Sequence, residues 1–373
     1  MEQTKVTIIG AGPAGLGCAA LLKQMQISSE NLKIFEAKTI GSTFKSWPKQ
    51  MRLITPSFPS NGYHQTDLNA ITPDTSPAFS SGKEHLSGQE YAQYLVDTAK
   101  HYELKVTENC AITKIEPLPD QTFKLTTQDG KTLLTQYVIW AGGEFHSPSQ
   151  DSFIGSQLCI HNSEVKNWDL FTESSYTIIG CYESGVDAAY HLASRGKHVI
   201  LLDGETAQSD SYDPSKVLSP YTSERIQQMA NADNVELVDN FEVASIISTK
   251  EGYLLKSTSG NEIISNTKPF NCTGFTTDLG PAKHLFDYVE NGSPIVNDFD
   301  ESTEYKNLFL TGAQLSYGDI LLCFIYKFRG RFAVPCSTIG AELDLDLSIL
   351  NHYQQAGMLL DDLSCCESQE CFC

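Results

Sequence analysis

Val6–Leu22 reads VTIIGAGPAGLGCAALL, an apolar strand that runs into Gly10-x-Gly12-x-x-Gly15 and then a helix of small residues. Gly10 permits the tight turn, Gly12 lets a diphosphate approach the backbone, and Gly15 lets the helix pack closely on the strand. The free N–H groups and positive dipole end of the helix then face an anion. Pro13 suits the first helical position, and the next strand, LKIFE, ends in Glu36, placed to bind an adenosine ribose.

Tyr176–Ala193, YTIIGCYESGVDAAYHLA, repeats the pattern with Gly180, Ser184 and Gly185 in corresponding places. Tyr182 stands where the second glycine belongs, which places the diphosphate farther from this turn. The strand HVILLD ends in Asp203, which suits a ribose hydroxyl and repels a 2′-phosphate, and no Lys or Arg follows before Lys216. NADH is therefore favoured over NADPH. The two turns are too far apart to serve one dinucleotide, so each takes its own. Two nucleotide sites in one chain imply electron transfer from a nicotinamide to a flavin.

The 373 residues suffice for two domains with substantial cores. Strands and helices alternate as in an α/β protein, with two Rossmann-like, three-layer ββα domains, the second inserted in the first. Residues 1–166 and 268–345 are expected to form the FAD-binding domain and 167–267 the nicotinamide domain. Residues 346–373 carry a C-terminal helix and a cysteine-rich tail. The stretch from Ile40 to Lys83 is too long for an ordinary loop and reads as lining of a site. A helix is expected at about Gly88 to His101.

A formal charge of −20 excludes non-specific binding to nucleic acid and docking on anionic membranes. No apolar run is long enough to span a bilayer, and the N-terminal apolar run is a strand and helix rather than a signal peptide. These features, with the cysteine usage, point to the cytoplasm. They leave oligomeric state open.

Of eleven cysteines, Cys18, Cys110, Cys159, Cys181, Cys272, Cys323 and Cys336 sit in apolar segments and are expected to be mostly buried and reduced. The other four, Cys365, Cys366, Cys371 and Cys373, crowd the last nine residues. That tail suits a thiol or soft-metal relay to an outside disulfide or metal ion, a static metal site, or no role. Neighbouring Asp361, Asp362, Glu367 and Glu370 raise its thiol pKa values. Lys327, Arg329 and Arg331 read as a solvated or interdomain face, and His64 and His85 as surface histidines.

With GAGPAG (10–15), Glu36, GSTF (41–44), TPS (55–57), WAGG (140–143), GCYESG (180–185), NCTGF (271–275) and LFLTGA (308–313), the chain resembles a known family over about residues 4 to 340. This is the family of two-dinucleotide-binding-domain flavoproteins. Within it the chain is similar to flavin-containing monooxygenase-like proteins of the cobalt-zinc-cadmium-associated type and to bacillithiol disulfide reductases. The resemblance implies that Gly10, Gly12, Pro13, Ala14, Gly15 and Glu36 hold the adenosine diphosphate of FAD. Ala141, Gly142 and Gly143 approach it, and Gly312 and Ala313 line the ribityl-phosphate arm. Gly180, Glu183, Ser184, Gly185 and Asp203 hold the nicotinamide nucleotide. Phe44, Trp47, Arg52 and Thr55 fall in the segment that borders the flavin ring, and Asn61 is the candidate for the family's flavin-side asparagine.

The monooxygenase fingerprint is incomplete, because Phe153-Ile154-Gly155 is followed by His161, two positions late, and Val165 replaces an aromatic residue. No redox CxxC lies by the flavin segment or in the second Rossmann domain. The resemblance implies an FAD-dependent NAD(P)H oxidoreductase that delivers electrons to oxygen, which then oxidises a soft nucleophilic small molecule, with Arg52, Asn61 or a bound nicotinamide shielding the reaction. Thiol-disulfide or thiophilic-metal reduction through Cys323, Cys365 and Cys366 is the alternative. A non-catalytic redox- or metal-sensing module is the third reading.

Overall fold

The structure is a computed structural model that describes residues 2–59, 65–204, 213–230, 232–318 and 320–363. The chain divides into two compact units. One comprises residues 1–45, 55–144 and 277–373, and the other residues 46–54 and 145–276. The division draws 145–166, 268–276 and the short segment Ser46–Ile54 into the second unit, a wider span than the 167–267 of the sequence reading.

The first unit opens with β1 (Glu2–Ile9), α1 (Pro13–Gln24) and β2 (Leu32–Phe35). Along β1 the inner half is fully buried, as a strand covered on both faces must be. Two short helices, α2 (Ser42–Ser46) and α3 (Pro77–Ser81), punctuate the irregular stretch that follows. The helix α4 (Gly88–His101) starts at a capping box in which Ser87 and Glu90 satisfy each other's backbone N–H groups. Then come β3 (Val106–Thr107), β4 (Ile112–Pro117), β5 (Phe123–Thr127) and β6 (Thr132–Trp140).

The second unit holds β7 (Ile160–His161), β8 (Ser175–Ile179), α5 (Glu183–Ala193), β9 (His198–Leu202) and α6 (Pro220–Met229). It continues through β10 (Val235–Val238), β11 (Val243–Thr249), β12 (Gly252–Ser257), β13 (Glu262–Ser265) and β14 (Phe270–Asn271). The chain returns to the first unit with β15 (Leu308–Leu310), a small hairpin of β16 (Ser316–Tyr317) and β17 (Ile320–Leu321), then α7 (Ile325–Phe328), α8 (Ala333–Glu342) and α9 (Leu350–Gln355).

Both units follow one plan. In the first, β3, β2, β1 and β6 lie side by side in parallel, and β15 pairs in parallel with the C-terminal half of β6. The other half of β6 pairs antiparallel with β5, which pairs with β4. In the second, β10, β9, β8, β14 and β7 form the parallel sheet, and β11, β12 and β13 the antiparallel one. Ile178, Val186, Leu192, Val199, Leu201 and Phe270 pack a core between parallel sheet and helices. A second cluster, including Leu202, Phe241, Ile246 and Leu255, fills the space against the antiparallel sheet. Each fully buried aliphatic or aromatic side chain contributes about 1.5–3 kcal/mol.

Two corrections concern charged and sulfur side chains. Arg329 and Arg331, expected on a solvated or interdomain face, are 5% and 0% exposed. The stretch FIYKFRGRFAV (324–334) is not one continuous helix but passes through α7, a 3-10 turn at Arg329–Arg331 and the start of α8, and both arginines are buried. Arg331 lies 2.7 Å from the fully buried Asp300 and donates to the carbonyls of Leu360 and Asp298. Cys323, expected to be buried, is exposed, because it follows β17 ahead of the first turn of α7. Cys18, Cys159, Cys272 and Cys336 are buried as expected. No helix among the described residues is long and apolar enough to cross a membrane.

Candidate functional site

At the C-terminal end of β1 the chain turns through Gly10, whose φ is +111°. A Cβ there would lie 2.3 Å from the Ala141 carbonyl oxygen, and one at Gly15 would lie 2.0 Å from that of Gly10. Both glycines are therefore required by the protein's own backbone. Gly12 is different. Its φ of −85° suits any residue, and a Cβ would meet no protein atom within 4 Å. The protein leaves that space open, as a backbone approached by a diphosphate requires.

Gly12 caps α1 without a side-chain hydrogen bond, Pro13 occupies the first turn, and no acidic residue stands there. The N–H groups at this end face open space with the dipole unopposed. The Glu36 carboxylate accepts from Ala11 N at 2.8 Å, Lys38 N at 2.9 Å and Ser42 Oγ at 3.2 Å. A carboxylate has about four acceptor positions, so one remains for a ribose hydroxyl.

Ala141 N donates to Ile9 O at 2.8 Å and Thr311 N to Trp140 O at 3.0 Å, which sets Gly142, Gly143, Gly312 and Ala313 along the same strand ends. Gly312 approaches Ala14 so closely that a Cβ would stand 3.0 Å from that of Ala14. Beside them Gln314, 4% exposed, donates to Asp278 O but leaves its buried Oε1 without a partner. Sequence reasoning missed this residue; its position one step beyond the Gly312-Ala313 motif was the available signal. The open cradle, uncapped helix, spare carboxylate position and orphan acceptor together fit an adenine dinucleotide.

The flavin-bordering segment is divided. Phe44 is buried edge-on to Tyr91 at 4.6 Å, and Thr55 gives its carbonyl to Asn69 Nδ2 at 2.9 Å, both in the first unit. Trp47 and Arg52 belong to the second unit. Lys49 N donates to Lys166 O at 2.9 Å, Gln50 Nε2 to Asn167 at 2.6 Å, and Trp168 N to Gln50 at 3.1 Å. Asn61, Cys365, Cys366, Cys371 and Cys373 lie outside the described residues.

The second turn copies the first. Gly180 has φ +98°, and a Cβ on Gly185 would fall 1.8 Å from Gly180 O. Tyr182, in the place of Gly12, keeps nearly the same backbone, with φ −105° and ψ −163° against −85° and −168°. Its ring turns aside so that Oη donates to Ser215 O at 3.1 Å and Val217 O at 2.7 Å. Glu183 also turns away: Ser219 N donates to it at 2.6 Å, and the hydroxyls of Ser219 and Thr222 complete the clamp. Ser184 Oγ donates to Cys272 O at 3.4 Å. Asp203 is held at the end of β9 by backbone bonds to Val238 and Phe241.

Burial pushes the Cys181 thiol up to about 12, and the Asp203 and Asp239 carboxylates add to the rise. Burial likewise pushes Cys159 up to about 12 and Cys272 higher still. These thiols stay protonated at neutral pH. Among the described residues no group of three or more His, Cys, Asp or Glu is placed to hold a metal ion.

His161, the displaced histidine of the monooxygenase fingerprint, is 4% exposed. Its Nε2 lies 2.9 Å from Gly274 O, its Nδ1 lies 2.8 Å from Ser163 Oγ, and its ring meets Phe275 edge-on at 5.3 Å. It fastens β7 to the loop after β14. Burial lowers its pKa below the ordinary 6.5, so the folded protein binds the proton less readily than the unfolded chain. Stability is then full above that value and falls as the pH drops below it, by at most about 1.4 kcal/mol per pH unit from this group. Urea midpoints measured from pH 8 to pH 5 should show this fall, and His161→Phe should flatten it. An unchanged slope in the variant would contradict the assignment.

The pattern of the pyridine nucleotide-disulphide oxidoreductase family matches residues 7–312. A ferredoxin–NADP reductase of Oceanobacillus iheyensis is 26% identical over 330 residues, 84% of this chain and 86% of that protein. Among solved structures, the bacillithiol disulfide reductase of Staphylococcus aureus superposes with a TM-score of 0.76 at 20% identity, covering 92% of this chain and 99% of that one. A flavin-containing monooxygenase from Stenotrophomonas maltophilia gives 0.67 at 18%, covering 92% and 100%. The chain belongs to the pyridine nucleotide-disulphide oxidoreductase family, enzymes with two dinucleotide-binding domains that use FAD and a pyridine nucleotide.

Proposed function

We propose that this chain oxidises NADH, in preference to NADPH, and passes the electrons through FAD to oxygen, one atom of which is transferred to a soft nucleophilic small molecule while the other leaves as water. The observation that carries the redox reading is the repeated turn, Gly10–Gly15 and Gly180–Gly185, each packed as a nucleotide cradle on its own parallel sheet. Bound FAD supplies a two-electron acceptor for the nicotinamide hydride. The protein's part is to orient. Gly12 and the α1 N-terminus would hold the FAD diphosphate, Glu36 its ribose, and Gln314 Oε1 would accept a hydrogen bond. Asp203, reinforced by Asp239, disfavours the 2′-phosphate that distinguishes NADPH.

The protonated thiols of the buried Cys159 and Cys272 and of the half-buried Cys181 support oxygen over internal disulfide chemistry. The second reading is reduction of an outside disulfide or a thiophilic metal ion. It is favoured by the exposed Cys323 and by the likeness to a bacillithiol disulfide reductase, with Cys365 and Cys366 as further candidates. Anaerobic reduction by NADH, followed by separate mixing with oxygen, a model disulfide and a thiophilic metal, tests both. Reoxidation by oxygen much faster than by the others, with NADH outperforming NADPH in the first step, is the expected result. Fast reoxidation by disulfide that is lost on removing residues 364–373 would favour the second reading instead.

A further inference from the structure

In the irregular stretch between α2 and α4, the turn at residues 67–70 is held by α4 and by Arg329. Asn69 N donates to Asp67 Oδ1 at 3.0 Å, and Tyr91 Oη of α4 donates to Asn69 O at 2.8 Å. Arg329 Nη1 donates to the carbonyls of Asp67 and, at 3.0 Å, of Ala70. What this turn presents is the side chain of Asn69, which is 1% exposed. A carbonyl oxygen can only accept, so the bond of 2.9 Å to Thr55 O fixes which end of the amide faces Thr55. The same Nδ2 donates to Ser57 Oγ at 2.7 Å. Both N–H donors are thus spent on Thr55–Ser57, while Oδ1 makes no hydrogen bond among the described residues.

Thr55–Ser57 lies in neither helix nor strand, and Pro56 has no N–H to give, so the segment depends on such outside bonds for its shape. A continuous chain of contacts joins it to the dinucleotide turn. Gly41 N donates to Ala11 O at 3.1 Å, and Ser42 Oγ to Glu36 at 3.2 Å. Two residues on, Phe44 meets Tyr91 edge-on at 4.6 Å. Tyr91 holds Asn69, and Asn69 holds Thr55 and Ser57. Every residue of this chain belongs to the first unit.

We propose that Asn69 is a positioning residue for FAD, fixing through its two N–H donors the backbone of Thr55–Ser57 against which the flavin ring is laid. Asn69 acts through that segment and not on the reacting atoms. Without its donors the buried Thr55 carbonyl and Ser57 hydroxyl are left unmet, and the segment shifts to recover partners. A wall of the site that moves by a fraction of a bond length changes how the cofactor is held. The inference rests on the reading that this chain binds FAD with Thr55 in the segment that borders its ring.

FAD titration of the apoprotein, visible circular dichroism of the flavin bands and urea midpoints test it in the wild type, Asn69→Leu, Ser57→Ala and Tyr94→Phe. Tyr94 supports the same turn, accepting from Ile71 N at 2.9 Å and bonding Thr75 at 2.7 Å, but bonds nothing in Thr55–Ser57. Asn69→Leu should weaken FAD binding about 10-fold, the factor carried by one or two hydrogen bonds, and alter the flavin circular dichroism. Ser57→Ala, which removes one of the two acceptors, should change both in the same direction by less. Tyr94→Phe should lower the urea midpoint and leave affinity and flavin signal as in the wild type. A wild-type flavin signal and affinity in Asn69→Leu would overturn the proposal while leaving FAD binding in place. So would a Tyr94→Phe that perturbs the flavin equally. Should Asn69→Leu fail to fold, an unchanged flavin in Ser57→Ala overturns it instead. A wild type that takes up no FAD would remove the reading beneath it.

Discussion

Gly12→Val should yield a protein within about 1 kcal/mol of the wild type in stability but without its yellow colour. The position has an ordinary φ, and a Cβ meets no protein atom within 4 Å, so the folded chain gains no clash. Unfolding free energy should fall by about 1 kcal/mol at most, the cost of a residue poorer than glycine at a helix N-cap. The added isopropyl group instead occupies the approach to the N–H groups of α1. FAD affinity should fall at least about 100-fold, or about 2.7 kcal/mol, within the range that overpacking costs. Gly15→Val makes the complementary case: its Cβ would sit 2.0 Å from Gly10 O, so fold and cofactor suffer together. Urea denaturation and the flavin-to-protein absorbance ratio separate the two effects. Equal flavin content in Gly12→Val and wild type would show that no diphosphate approaches there.

Asp300→Ala should destabilise the first unit by about 3–5 kcal/mol, the cost of leaving a buried charge without its partner. Asp300 and Arg331 are both 0% exposed. The guanidinium reaches Asp300, Tyr317 Oη at 2.9 Å, Asp298 O at 2.9 Å and Leu360 O at 2.6 Å, so one ion pair ties three stretches of chain together. The double change Asp300→Leu with Arg331→Met should recover much of the loss, because an apolar pair leaves no charge stranded. By contrast, removing the surface pair of Lys33 and Glu2, 33% and 60% exposed, should cost under about 1 kcal/mol. A loss below about 1 kcal/mol for Asp300→Ala, read from urea midpoints, would contradict this account of the core.

The glycine turns, their strands and the insertion of one nucleotide fold in another were legible in the sequence, because apolar strand, spaced glycines and small-residue helix each record a steric demand. Arg329 and Arg331 were not legible: charge reads as solvent-facing, and only the three-dimensional arrival of Asp300 and the backbone carbonyls makes their burial tolerable. The docking of Ser46–Ile54 was equally hidden, since it depends on backbone and amide hydrogen bonds that leave no periodicity. At the second turn Tyr182 looked like an obstruction to the diphosphate. The backbone there matches Gly12, and the ring's direction, set by the Ser215 and Val217 carbonyls, is a tertiary fact. His161 shows the opposite case, a motif residue visible in sequence whose clamp on Gly274 appears only in the fold.

The central claim is that one chain holds a flavin and draws its electrons from a nicotinamide. Anaerobic addition of one equivalent of NADH to the FAD-reconstituted protein, followed at the flavin's visible absorbance band, measures it directly. The account predicts bleaching of that band with stoichiometric loss of NADH absorbance. A protein that takes up no FAD on reconstitution, or a flavin whose spectrum NADH and NADPH both leave untouched, would contradict it.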